Sequence, residues 1–182
     1  GFKPMFKVDI MDEEGEMRIP VQDTTHLKFN IVGDHLDNYD WMLNLAHFKG
    51  HAMGGFGGVL KNQSIGVASA NGKAYIHTAG KCADKNLIWK MNRDVPQDHF
   101  IEAMAASAQS VHDYFDGKIL YINVMNNLSV DCDCDNHPAA PEMNDVGILA
   151  STDPVALDQA CVDLIFNYPS QEGDDAKALI DR

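Results

Sequence analysis

The densest run of ligand-type side chains in the sequence is Asp131-Cys132-Asp133-Cys134-Asp135-Asn136-His137, and it supports two different chemistries. Asp131, Asp133, Asp135 and Glu142 stand at the first, third, fifth and twelfth positions of a calcium-loop pattern, a hard-metal oxygen set. Asn136 takes the place of the usual turn glycine, a substitution asparagine tolerates because it visits the left-handed conformation. Pro138, Pro141 and a strand rather than a helix before the loop argue against a true EF-hand. The second reading takes Cys132, Cys134 and His137 as soft ligands for zinc or iron. In an extended run alternate side chains face opposite ways, so aspartates and cysteines would not share one ion. One intervening residue is also a short spacing for tetrahedral zinc. Two cysteines without help do not hold an iron–sulfur cluster, which takes four thiolates. The expectation is a divalent metal (Zn, Fe or Ca) in this loop, with an Asx-rich turn as the structural alternative.

A second constellation is His47-Phe48-Lys49-Gly50-His51, two imidazoles with a lysine between them. No Glu follows His47 and Gly50 breaks a helix, so this is not a metalloprotease motif. A turn could still converge His47 and His51 on the metal of the Cys132, Cys134 and His137 set. The glycine-rich stretch from Gly54 to Gly58 leads into Val59-Leu60-Lys61-Asn62. Glycines permit close backbone approach, and a helix N-terminus aims free N–H groups at an anion. Lys49, Gly55, Gly57, Gly58, Lys61 and Asn62 are therefore the expected small-anion set. The spacing fits neither a Walker loop nor a dinucleotide fingerprint. Gly-x-Ser-x-Gly is absent, and no catalytic Cys–His pairing is readable from order alone. His77 follows a predicted strand and Asp158 sits in the first turns of the last helix, each a possible neighbour of the cleft. Cys161 reads as a small buried hydrophobe.

The elements that must position these residues follow from periodicity. Phe6–Ile10 and Met17–Val21 read as a hairpin, Trp41–Ala46 as a strand buried on both faces, and a helix is expected from Val59. Lys73–Thr78 reads as a strand. Pro96 and Asp98 open a helix with Ile101, Met104, Ala108, Val111 and Phe115 on one stripe, closed by Gly117. Ile119–Met125 and Val146–Ala150 read as strands, and Asp153-Pro154 caps a helix with Leu157, Cys161 and Leu164 on one face. Alternating strands and helices predict an α/β layered domain with a mixed, partly parallel sheet flanked by helices. Function should then gather in strand-end loops, here 47–58, 126–142 and 151–153.

Composition bounds the partners. The 182 residues carry a net charge of −13, from 14 Lys+Arg against 27 Asp+Glu, of which 21 are Asp. So acidic a chain lacks the basic surface that a sequence-independent grip on nucleic acid needs. No apolar run is long enough to cross a membrane, so no membrane partner is expected. Four scattered cysteines do not make a disulfide framework, which suits a reducing cytoplasm. The residues are expected to form a single domain, 1–182, and the abrupt opening at Gly1-Phe2-Lys3-Pro4 suggests a longer parent chain.

Five ordered blocks carry a family resemblance: His47-Phe48-Lys49-Gly50-His51; Gly55-Phe56-Gly57-Gly58 with Leu60-Lys61-Asn62; Tyr121-Ile122-Asn123; Cys132-Asp133-Cys134; and Gly147-Ile148-Leu149-Ala150-Ser151 with Asp153-Pro154-Val155-Ala156. Over roughly Trp41 to Leu164 the chain resembles the uncharacterised iron–sulfur centre proteins, domain-of-unknown-function family 362. Many members of that family carry an inserted ferredoxin module of Cys-x-x-Cys runs before the helix matching Phe100–Phe115. Here the interval holds only Cys82, so the resemblance implies no iron–sulfur cluster from this chain alone. It does suggest a ferredoxin-type or other protein partner.

Two functions are thus expected. One is a metal- or small-anion-binding, redox-linked cleft. The other is a non-catalytic docking scaffold whose Asp131, Asp133, Asp135 and Glu142 loop holds calcium.

Overall fold

In a computed structural model of the chain, residues 4–141 and 143–169 are described. The elements are β1 (Glu16–Ile19), β2 (Asn30–Gly33), β3 (Met42–His47), β4 (Lys49–His51), β5 (Gly55–Gly57), α1 (Val59–Lys61), α2 (Ala70–His77), α3 (Ile88–Met91), α4 (Gln97–Tyr114), β6 (Ile119–Met125), β7 (Gly147–Ser151) and α5 (Pro154–Phe166). A 3-10 turn spans Asp34–Asn38, and a π turn at Asn62–Gly66 follows α1. The elements group into two compact units. The first comprises residues up to Trp41 together with Ser64–Asp116; the second comprises Met42–Gln63 and residues from Gly117 onward.

In the first unit β1 pairs antiparallel with β2, Glu16 opposite Gly33. The expected hairpin partner, Phe6–Ile10, is not a strand. Phe6, Val8 and Ile10 are exposed, so their alternation meets no apolar layer. Asp9 is instead held by His35 at 2.7 Å and the Tyr39 hydroxyl at 2.6 Å. Lys73–Thr78, read as a strand, lies largely in α2. Ser69 caps that helix by accepting from the Gly72 N–H at 3.0 Å, and this local bond outweighs a short ambiguous apolar pattern. His77 belongs to α2 with its ring 5.0 Å from that of Phe100. Helix α4 ends near Gly117 as expected, and Ala108, Val111 and Phe115 of its expected stripe are buried; Phe100, Ala103 and Ser107 join them, while Ile101 is exposed.

At Gly72 the backbones pack closely, and a Cβ there would collide with the Ile31 carbonyl oxygen. Gly72→Ala is expected to destabilise by about 2 kcal/mol through this overpacking, read as a lower urea midpoint with an unchanged slope.

The second unit is built on a three-stranded mixed sheet, ordered β3-β6-β7. β3 runs parallel to β6, from Met42 opposite Ile119 to His47 opposite Val124, and β7 runs antiparallel to β6. The α/β expectation holds here. α1 and α5 pack on the face carrying Asn44, Ala46, Tyr121 and Asn123. Leu43, Leu45, Leu120 and Ile148 on the opposite face are exposed, so β3 is buried on one face only. Parallel β3 and β6 release their loops at the same sheet edge, while β7 points the other way. The loop 151–153 therefore leaves from the opposite edge, and two of the three expected loops meet rather than three.

Beneath those two loops lies a core of Phe48, Met125, Leu128, Val130, Met143, Cys161 and Ile165. Phe48 stacks on Phe56 at 5.5 Å between centroids, and its full burial contributes about 2–3 kcal/mol. Leu164, expected on the buried face of α5, is exposed, and Ile165 takes its place. No described helix is long and apolar enough to cross a membrane.

Candidate thiolate site

The strand after Phe48 turns back on itself as the β4–β5 hairpin, with Gly50 opposite Phe56. The Gly50 N–H donates to the Ser129 carbonyl at 2.8 Å, which fastens the hairpin to the loop after β6. That loop is anchored by buried Leu128 and Val130 and then becomes polar. At Cys132 the chain is not extended: the Asp135 N–H donates to the Cys132 carbonyl at 2.9 Å and closes a β-turn. The turn overrides the alternation expected of an extended run. Cys134 is folded back toward Cys132, and the two thiols shift each other's titration in opposite directions.

Four groups converge on that sulfur. Lys49 Nζ lies 3.6 Å away and Lys61 Nζ 3.8 Å away, and the Cys134 backbone N–H donates at 3.4 Å. The fourth is His51, whose Nδ1 accepts from the Met53 and Gly54 N–H groups at 3.2 and 3.1 Å. That ring nitrogen therefore carries the lone pair, and the imidazole N–H is left for Cys132. Partial burial raises the Cys132 thiol, but the bonds from His51 and Cys134 and the charge of Lys61 outweigh it and bring the value down to about 5. The Cys134 thiol moves the other way, raised by burial and by its bond to the Cys132 sulfur. Cys132 is half-buried and Cys134 exposed.

The glycines serve this arrangement. A Cβ on Gly57 would lie 2.5 Å from Lys49 Nζ, so the bare backbone lets the buried lysine pass. Gly58 leaves room for a carboxylate of the chain's own, because a Cβ there would collide with Asp158. Asp158 accepts from the Val59 and Leu60 N–H groups, each at 3.0 Å, and from the Asn123 amide at 2.7 Å. Burial raises its carboxyl above the usual range, against the lowering effect of those three bonds. The N–H groups after the glycine loop, expected to face a small anionic ligand, are taken by the chain's own Asp158 carboxyl group. Asn62 is used within the scaffold, its amide donating to Asn44 Oδ1 at 2.8 Å. Gly55, at φ +76°, opens β5.

The remaining expected ligands are placed as follows. His47 has both ring nitrogens against oxygen acceptors, Nδ1 on the Asp133 carboxylate at 2.9 Å and Nε2 on the Asn126 carbonyl. Asp131 accepts from the Ala139 N–H at 2.9 Å and Asp135 from the His137 N–H at 2.8 Å. His137 is exposed, and Glu142 lies outside the described residues. Among the described residues no three His, Cys, Asp or Glu side chains are grouped so as to hold a metal ion. Asp158, read from the sequence only as a possible neighbour of the cleft, lies beneath the glycine loop, and Asn123 is the support to which sequence reasoning gave no role. The available signal was an aspartate on the same helix face as Leu157 and Cys161, a position that needs internal partners.

Fold and site together describe an α/β arrangement whose strand-end loops surround a cysteine with a lowered thiol. The chain belongs to the DUF362 family, a domain of unknown function, whose model matches residues 2–163. No curated protein and no solved structure matches it.

Proposed function

We propose that the second unit is a redox-linked thiol centre in which Cys132 is the nucleophile. One observation carries this reading: two lysine Nζ groups, an imidazole N–H and a backbone N–H all meet a single sulfur. Donors and positive charge around a thiol stabilise the thiolate, which is the reactive form. The same lysines oppose a divalent cation at that sulfur, because the ion would have to displace them. The anion-binding expectation is absorbed as well, since the anion facing Lys49 and Lys61 is the thiolate.

The test is alkylation by iodoacetamide at pH 6, with Cys82 of the same chain as internal reference. A thiol near 5 is almost fully ionised at pH 6, whereas an ordinary one is ionised about 300-fold less. Lower intrinsic nucleophilicity returns about 40-fold of that advantage, leaving Cys132 roughly tenfold faster. Equal rates at Cys132 and Cys82 overturn the reading. So does stoichiometric zinc in the isolated protein that blocks labelling of Cys132, a result that would favour the soft-metal set of Cys132, Cys134 and His137 with His47 and His51.

A further inference from the structure

We infer that Cys134 is the resolving partner of Cys132, so that the turn works as a dithiol–disulfide switch exchanging two electrons with disulfide substrates. This rests on the reading of Cys132 as a nucleophile and adds what becomes of the bond it forms. The carrying observation is the shape of the loop. The β-turn from Cys132 to Asp135 bends the chain across the two cysteines, and the Cys134 N–H folds back onto the Cys132 sulfur at 3.4 Å. Two peptide steps of about 3.8 Å each, bent at a turn, keep the Cα atoms within the roughly 4.4–6.8 Å that a disulfide requires.

The rest of the site suits this role. The turn is tethered at both sides, with Asp133 bonded to His47 and Asp135 to the His137 N–H. Ala139 N–H donates to Asp131 just before the turn. The three aspartates are thus spread along the loop as braces, each on a different partner. The second unit's remaining cysteine, Cys161, is buried and bonded by the Asn123 amide. Cys82 belongs to the first unit.

The exchange balances as follows. The Cys132 thiolate attacks one sulfur of a disulfide RS–SR; the S–S bond breaks, a Cys132–SR mixed disulfide forms, and RS⁻ leaves with the electron pair. Cys134 gives up its proton to that leaving thiolate and attacks Cys132 Sγ, expelling the second RS⁻. The substrate disulfide gains two electrons, and the protein dithiol becomes a Cys132–Cys134 disulfide. An external dithiol reductant, by the reverse exchange, restores the pair. A disulfide spanning one residue closes a small ring, and strained, exposed disulfides are the labile ones. The expected bond is therefore reversible rather than structural.

The experiment treats the full chain, reduced and carrying Cys82→Ser, with glutathione disulfide at neutral pH and maps the products by mass after acid quench and peptic digestion. The expected product is the Cys132–Cys134 disulfide without lasting adduct, reopened by dithiothreitol. Cys134→Ala is expected to trap a glutathione adduct on Cys132, and Cys132→Ala to give neither product, with circular dichroism unchanged in both. A stable adduct on Cys132 with Cys134 present, and no internal disulfide, overturns the resolving role while leaving Cys132 a nucleophile. No reaction at Cys132 in any variant overturns both.

Discussion

Asp158→Ala is expected to lower the free energy of unfolding by about 3 kcal/mol or more, the largest stability effect of any single substitution considered for the second unit. The carboxylate is 1% exposed and accepts from two backbone N–H groups and one amide. Removing it orphans three buried donors, each worth about 1–3 kcal/mol when left unpaired, with water entry recovering part of the loss. Asp158→Asn keeps one acceptor oxygen but turns an NH2 toward one of the backbone donors, so it should fall between wild type and alanine. Urea unfolding of the three proteins measures this. An alanine variant as stable as wild type would show that the glycine loop does not depend on the carboxylate.

The second large effect concerns Cys132. His51→Leu and Lys61→Met are each expected to raise its titration midpoint from about 5 by about one to two pH units, and the double variant to bring it close to the ordinary thiol range. His51 matters because the β4–β5 turn holds its Nδ1 with two N–H donors, which fixes the ring with its other nitrogen toward the sulfur. Thiolate ultraviolet absorbance against pH, with Cys132→Ser subtracted, reads the midpoint directly. A midpoint unmoved in both single variants would mean that these side chains do not activate the sulfur.

The same shifts set the pH dependence of stability, with opposite signs. The Cys132 value is lowered in the folded state, so its contribution is fully present above the ordinary thiol value of 9.0 and is lost as pH falls through about 5. The Asp158 value is raised, so its contribution is present below the ordinary 3.8 and is lost as pH rises through the folded value. The stability gap between wild type and Cys132→Ala should therefore widen from pH 5 to pH 9.

Much of this was legible from residue order. Periodicity identified β3, β6 and β7 and the two long helices, because their apolar patterns are long or their caps explicit, as at Asp153-Pro154. It misassigned Lys73–Thr78, where a six-residue pattern suits either element and the Ser69 cap decides. It missed β2, whose side chains are buried and show no alternation. Of the residues that composition and spacing singled out, the fold brings Lys49, His51, Gly57, Gly58, Lys61, Cys132 and Cys134 together, while His137 is exposed and His47 is taken up by Asp133 and Asn126.

What that cluster does chemically was not in the spacing. Residue types established that two histidines, two lysines and two cysteines were present, along with a glycine loop suited to an anion. Only the fold decided which atoms face which. Parallel pairing of β3 with β6 brings the His47 and Asn126 loops to one sheet edge, and a β-turn at Cys132 folds Cys134 back toward it. Asp158, 100 residues beyond Gly58 in the sequence, accepts the Val59 and Leu60 N–H groups that follow the glycine loop. Local patterns carry propensity, but the direction of a lone pair or an N–H is set by long-range pairing, and it is that direction which decides what surrounds the Cys132 sulfur.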